Sequence, residues 1–283
     1  GVSANGSVIA GTDVSGSQAV AFTWTQAGGR TNFGTGPGFP ANNGAAAISG
    51  DAATVVGGTA NRAFRYRGPG TYQEIAPIGG YTASTATDVS DDGNVVVGRS
   101  FVPQSNSAMA FRWTPQDGVQ SLGVARPGDA SSSISAISRD GLTLVGGSGA
   151  GILPDAAIVW RQGTGMAVLP SLPGATSTGA WGVNSDGSII VGQSATNAVM
   201  WHNGVITNLG APSGWVGGEA FAVSDAGTVI VGHTFQAGAL QAASVWTPSF
   251  GMELLSTYLA RNGVEVPSDW TLLKATAVSA DGL

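Results

Sequence analysis

The chain has no cysteine, one lysine, two histidines and four glutamates in 283 residues, and only 10% of its residues are charged. Without cysteine there are no disulfides and no thiolate metal sites. With Lys274 as the only lysine, ten scattered arginines and a net charge of −6, the chain carries no electrostatic footprint for nucleic acid. No apolar run reaches 18 residues, so no segment is expected to cross a membrane as a helix. Low charge and 45 glycines exclude a coiled coil, while an apolar share of 42% rich in Val, Ile and Trp excludes disorder. What remains is an all-β chain with many turns.

One phrase recurs. "DVSDDGNVVVGRS" at Asp88 has counterparts in "GVSANGSVIAGTD" at Gly1, "AISGDAATVVGGT" at Ala47, "AISRDGLTLVGGS" at Ala136, "GVNSDGSIIVGQS" at Gly182 and "AVSDAGTVIVGHT" at Ala222. A seventh copy, "AVSADGL", begins at Ala277. Aligned on the apolar residue before Ser, the copies start at Val2, Ile48, Val89, Ile137, Val183, Val223 and Val278. A period in the forties made of β-branched runs and glycines points to propeller blades and excludes helical solenoids of similar period.

Four strands are legible in each repeat. A short inner strand with small residues ends at Val-Ser, and an Asp-Gly or Asn-Gly turn supplies the positive φ of a two-residue hairpin. The turn side chains Ser3, Ser49, Ser90, Ser138, Asn184, Ser224 and Ser279 are expected to accept from turn N–H groups. The second strand is the apolar run closed by Gly11, Gly57, Gly98, Gly146, Gly192 and Gly232. The third carries Trp24, Tyr66, Trp113, Trp160, Trp201 or Trp246, a stripe that reads as packing between blades rather than a ligand platform. An outer strand such as "MAVLP" completes the sheet. The fold expected is a single β-propeller domain over residues 1–283 with six four-stranded blades, the ring closed by a C-terminal strand near 271–280 that pairs with the first blade. A chain continuing through the seventh copy would make seven.

The columns V-S-x-D-G-x-x-V-V-G-x-S, A-F-x-W and G-M/V-x-x-L resemble the HAF-type extracellular repeat of bacterial exported proteins, with a looser likeness to kelch repeats. The segment "GMELLSTYLARNGVEVPSDWTLLKATAVSADG" is similar to that family's long final repeat. The resemblance implies an extracellular or cell-surface protein, often the passenger of an autotransporter whose parent carries a C-terminal β-barrel. The chain starts and stops within the motif, so a removed leader or anchor is compatible with it. Ala52 in place of the turn glycine, Ala226 in place of the turn Asp and Asp13 depart from the pattern.

Variable loops are expected on the face opposite the Asp-Gly turns, where binding on a rigid frame belongs. There the repeat is broken by charge at Arg99, Gln193, His233, Glu219 and Lys274, with Trp215 beside them, a set able to meet sugar hydroxyls and cover a sugar face. The plainer reading makes Glu219 and Lys274 an ion pair between inner strands. Asp88 stands out in a column otherwise Ala or Gly, a candidate acid or ligand and equally a residue at the edge of a small wet space. No metal ligand set, no cofactor and no nucleophile motif is present. Three functions stay open: an adhesive or glycan-binding module taking a glycan or surface protein, a polysaccharide hydrolase or lyase using Arg99, His233 and Glu219, and a structural spacer. A monomer is expected, and catalysis is the less favoured outcome.

Overall fold

The computed structural model describes residues 1–14, 18–33, 40, 42–105, 107–151, 155–236 and 240–282. Six antiparallel sheets follow one another in chain order, five of four strands and the first of three. Each is a simple meander, as in the third blade: Ala83–Val89, Val96–Phe101, Ala108–Thr114 and Gly118–Gly123. Inner strands of blades two to six end at Ile48, Val89, Ile137, Val183 and Val223, at the positions expected from the repeat. The single helix among the described residues, Leu255–Arg261, follows the last strand of blade six.

The turn chemistry explains the recurring phrase. Ser90 Oγ accepts from Val95 N–H at 2.9 Å and donates to Asp92 Oδ1 at 2.6 Å. Ser3, Ser49, Ser138 and Ser224 accept the equivalent N–H, and Asn184 Oδ1 does so from Ile189. Gly93 turns the chain at φ +68°, and where the glycine is missing Ala52 is held in the same left-handed region at φ +61°, a strained place for a side chain. These turns also link blade to blade: Asp51 N–H donates to Asp91 O at 3.1 Å, Asp91 N–H to Arg139 O at 3.0 Å and Arg139 N–H to Ser185 O at 3.2 Å.

The closing glycines answer to a close approach. Every inner strand of blades two to six carries a β-bulge two residues before its final apolar residue. The strand beside it is drawn in so far that a Cβ on Gly57, Gly98, Gly146, Gly192 or Gly232 would lie 1.9 to 2.1 Å from an inner-strand carbonyl oxygen.

Packing runs between faces of successive blades. Val56, Ala63 and Ile75 of blade two meet Val89, Val96, Phe111 and Trp113 of blade three, and Val145, Ala157 and Val159 meet Ile190, Val199 and Trp201 one pair later. The aromatic column is therefore inter-blade packing, as expected. Arg65 reinforces it, its guanidinium 5.6 Å from the Trp113 ring and its Nε donating to Gly93 O at 2.8 Å.

Closure differs from the expectation. Residues 271–280 are not hydrogen-bonded to blade one among the described residues; they lie against blade six. Ala243 N–H donates to Leu272 O at 2.8 Å, Ala275 N–H to Gly232 O at 3.0 Å and Asp225 N–H to Ala280 O at 2.9 Å. Blade six has an apolar leading face, Val231 and Val245, that gains from cover. Blade one meanwhile fills its inner place with its own start, through the bridge of Val2 to Ile9.

Candidate functional site

Seven segments surround the axis. Their ends enclose a cavity of about 460 Å³ whose wall includes Gly1–Ser3, Ala46–Ile48, Thr87–Val89, Ser135–Ile137, Trp181–Val183, Phe221–Val223 and Thr276–Val278. It sits toward the Asp-Gly turn end, so the open space and the variable-loop face are at opposite ends of the channel. The bulge pushes one residue per inner strand toward the axis: Ala46, Thr87 and Ser135 are small, whereas Trp181 and Phe221 are neighbouring aromatics. Neither ring breaks the repeat with charge. Their signal was present in "AWGV" and "AFAV", an aromatic in a column otherwise Ala, Ser or Thr.

Beyond Phe221, toward the variable loops, three of the expected residues do meet. Glu219 and His233 are register partners on adjacent strands of blade six. The His233 ring stacks on Phe221 at 5.3 Å between centroids, tilts against Phe235 at 6.1 Å, and is 5% exposed. Lys274 Nζ, from the closing segment, lies 5.7 Å from the Phe221 centroid. No direct Glu219–Lys274 ion pair forms among the described residues, so the simple strand-to-strand pair is not what these charges make. Burial raises the Glu219 carboxyl, an effect that Lys274 partly offsets. Burial, with Lys274 adding to it, lowers the His233 imidazole and keeps it neutral at pH 7. Two buried ring nitrogens here, His233 Nδ1 and Trp181 Nε1, have no hydrogen-bond partner among the described residues.

Arg99 is exposed on blade three, its guanidinium 5.6 Å from Phe101. Gln193 pairs with Gly179 on blade five, and Trp215 is half-buried in the turn closed by its own N–H to Pro212 O at 3.0 Å. Asp88 is half-buried at the turn end of the cavity, where it accepts from Val89 N–H at 2.9 Å and Ile137 N–H at 3.0 Å. Burial pushes its carboxyl up to about 6 against the pull of those two donors. Of the trio Arg99, His233 and Glu219, the last two share blade six and the first stands on blade three. Among the described residues no three His, Cys, Asp or Glu side chains are grouped as a metal would require.

Comparison with known proteins bears on the fold. No family model matches the chain, and no curated protein does. Among solved structures it is similar to TolB from Acinetobacter baumannii, at 12% identity and TM-score 0.52 over 88% of this chain and 63% of that one. It is similar to an oligogalacturonate lyase in complex with manganese, at 13% identity and TM-score 0.61 over 96% of this chain and 77% of that one. It is also similar to a prolyl endopeptidase, at 11% identity and TM-score 0.61 over 90% of this chain and 41% of that one. The chain thus spans less than two thirds of the TolB and endopeptidase chains. At such identities the likeness is one of fold, the β-propeller.

Proposed function

We propose that this chain is an exported binding module of the HAF-repeat kind, and that it takes a glycan at the axial mouth around Phe221. The observation that carries this reading is the grouping of Glu219, His233 and Lys274 about one aromatic ring, in a ring of blades where the same columns are otherwise mostly small or uncharged. A sugar presents an apolar face and a rim of hydroxyls. The half-buried Phe221 ring offers a surface for the first, and Glu219 and Lys274 offer an acceptor and donors for the second.

A glycan array followed by calorimetry tests the reading. A binder is expected whose affinity falls at least about tenfold in Phe221→Ala and in Lys274→Ala, the loss of one good contact. If no glycan binds at millimolar concentration, or if both variants bind as the parent does, the spacer reading replaces this one.

A further inference from the structure

The cavity at the turn end of the channel carries negative charge at two depths. Its inner end has an aromatic floor, Trp181 and Phe221, each two residues short of the final apolar residue of its inner strand. A Cβ on Gly179 would lie 2.6 Å from the Trp181 ring, so that ring leans away from the turns. One residue nearer the turns, Asp88 enters the wall. Each of its oxygens takes one backbone N–H, from Val89 and from Ile137, and each keeps a second lone-pair site. No basic side chain makes an ion pair with Asp88 among the described residues. Burial pushes its carboxyl up to about 6, the two backbone donors and the Gly1 amino group oppose this, and Asp91 adds to it. At neutral pH the cavity therefore holds a carboxylate at a cost. Three residues further on, at the mouth, stand Asp91 and its counterpart in blade six, Asp225. The Asp91 side chain is 41% exposed and faces Arg139 at 3.8 Å. Asp225 is exposed, accepts from Ser185 Oγ and has no basic partner among the described residues. Burial raises the Asp91 carboxyl, and Asp225, Asp51 and Asp92 add to this against the pull of Arg139. Arg139 is the one basic side chain among the described residues of a wall that holds three carboxylates.

We propose that this end of the channel binds an alkyl diamine, with one ammonium hydrogen-bonded to Asp88 above the aromatic floor and the other at the mouth beside Asp225. An ammonium offers three N–H donors and no acceptor, the complement of a carboxylate with two open lone-pair sites. The aromatic floor attracts a cation in its own right. Between the two depths the wall is apolar, with Ile137, Val183 and Val223, and it suits methylenes. Those depths are three residues apart, about 10 Å along a strand that rises about 3.3 Å per residue, so a linear ligand with charge at both ends matches them. A cavity of about 460 Å³ is of the size that holds a small organic molecule. A bare divalent ion wants six or more oxygens, and among the described residues no three His, Cys, Asp or Glu side chains are grouped. The floor, Asp88 and the mouth pair all belong to blades three to six, and the acidic mouth draws cations toward the cavity.

The probe is putrescine, titrated into the protein by calorimetry at pH 7.5 and low salt, where exposed charges are least screened. Saturable one-to-one binding is expected. Butylamine, which lacks the second ammonium, and permethylated putrescine, which keeps both charges but no N–H, are each expected to bind about tenfold more weakly. Asp88→Asn is expected to weaken putrescine at least about tenfold, and Asp225→Asn, at an exposed position, about threefold with the parent's thermal midpoint. Asp88 is ionised above about pH 6 and protonated below it, so putrescine is expected to raise the thermal midpoint at pH 7.5 and to leave it unchanged at pH 4.5. No saturable binding at millimolar concentration, equal binding by both variants, or equal stabilisation at the two pH values would overturn the proposal. Butylamine binding as tightly as putrescine would overturn it in favour of a monoamine site, and equal binding of the permethylated form would overturn it in favour of a site that reads charge alone. None of these outcomes bears on the glycan test, which rests on Phe221 and Lys274 at the other end of the channel.

Discussion

Individual residues in this repeat answer to constraints of very different kinds. Gly146 is fixed by contact, because a Cβ there would lie 2.0 Å from Ser133 O and the oxygen belongs to a backbone held by its own bulge. Gly146→Val is expected to cost about 3 kcal/mol or more, at or above the upper end for overpacked cores, read as a lowered urea midpoint with an unchanged slope. Asp88 is fixed by electrostatics instead. Its folded carboxyl titrates at about 6, above the ordinary value of 3.8, so between those values the native state holds more of the proton than the unfolded chain does. The stability this contributes is complete below about pH 4 and is lost as pH rises through 6. Asp88→Asn is expected to remove that part of the slope, on the order of 2–3 kcal/mol across the window. Urea titrations of parent and variant at pH 4.5 and 7.5 provide the check, and identical pH dependence would exclude Asp88 as the source.

Among the elements, the C-terminal segment is the one whose role the pattern misstated. It has the sequence of an inner strand, and an inner strand ordinarily pairs with a second strand of its own blade. Here the Ala275 N–H donates to blade six while the Leu272 and Ala280 carbonyls accept from it, and the segment acts as cover for an apolar face. Removing residues 271–283 is expected to lower the thermal midpoint and to expose the Val231 and Val245 face, detected as new dye binding. If the truncated chain kept the parent's midpoint, the cover would have no energetic role. The helix Leu255–Arg261 is tied to the same blade through Arg261, which makes two 2.8 Å bonds to Glu253 and lies 3.6 Å from the Phe250 ring.

For the whole molecule, equal sequence does not mean equal environment. Ile9 and Ile190 occupy one column of the repeat, yet they are 40% and 2% exposed, since blade four covers Ile190 and no strand among the described residues covers Ile9. Ile9→Asp is expected to change stability by no more than about 0.5 kcal/mol, whereas Ile190→Asp buries an unpaired carboxylate and costs more than about 4 kcal/mol. Chemical denaturation of the two variants side by side measures the difference, and similar losses would mean that Ile9 is covered in solution.

Read from residues alone, the repeat determined the strand order, the turn chemistry, the place of the closing glycines and the packing role of the aromatic column, because each is a local requirement restated six times. The axial site was only half legible. Glu219, His233 and Lys274 were visible as breaks in the pattern, but Phe221 and Trp181 were not, because a bulge of one residue turns a side chain from one direction to another without altering the order of the letters. Arg99, Gln193 and Trp215 broke the same pattern on blade three, on blade five and in the turn that leads into blade six, since a column says nothing of which neighbours its members meet. Which blade the final segment joins, only the tertiary structure decided, because that outcome depends on which apolar faces compete for the same stretch of chain.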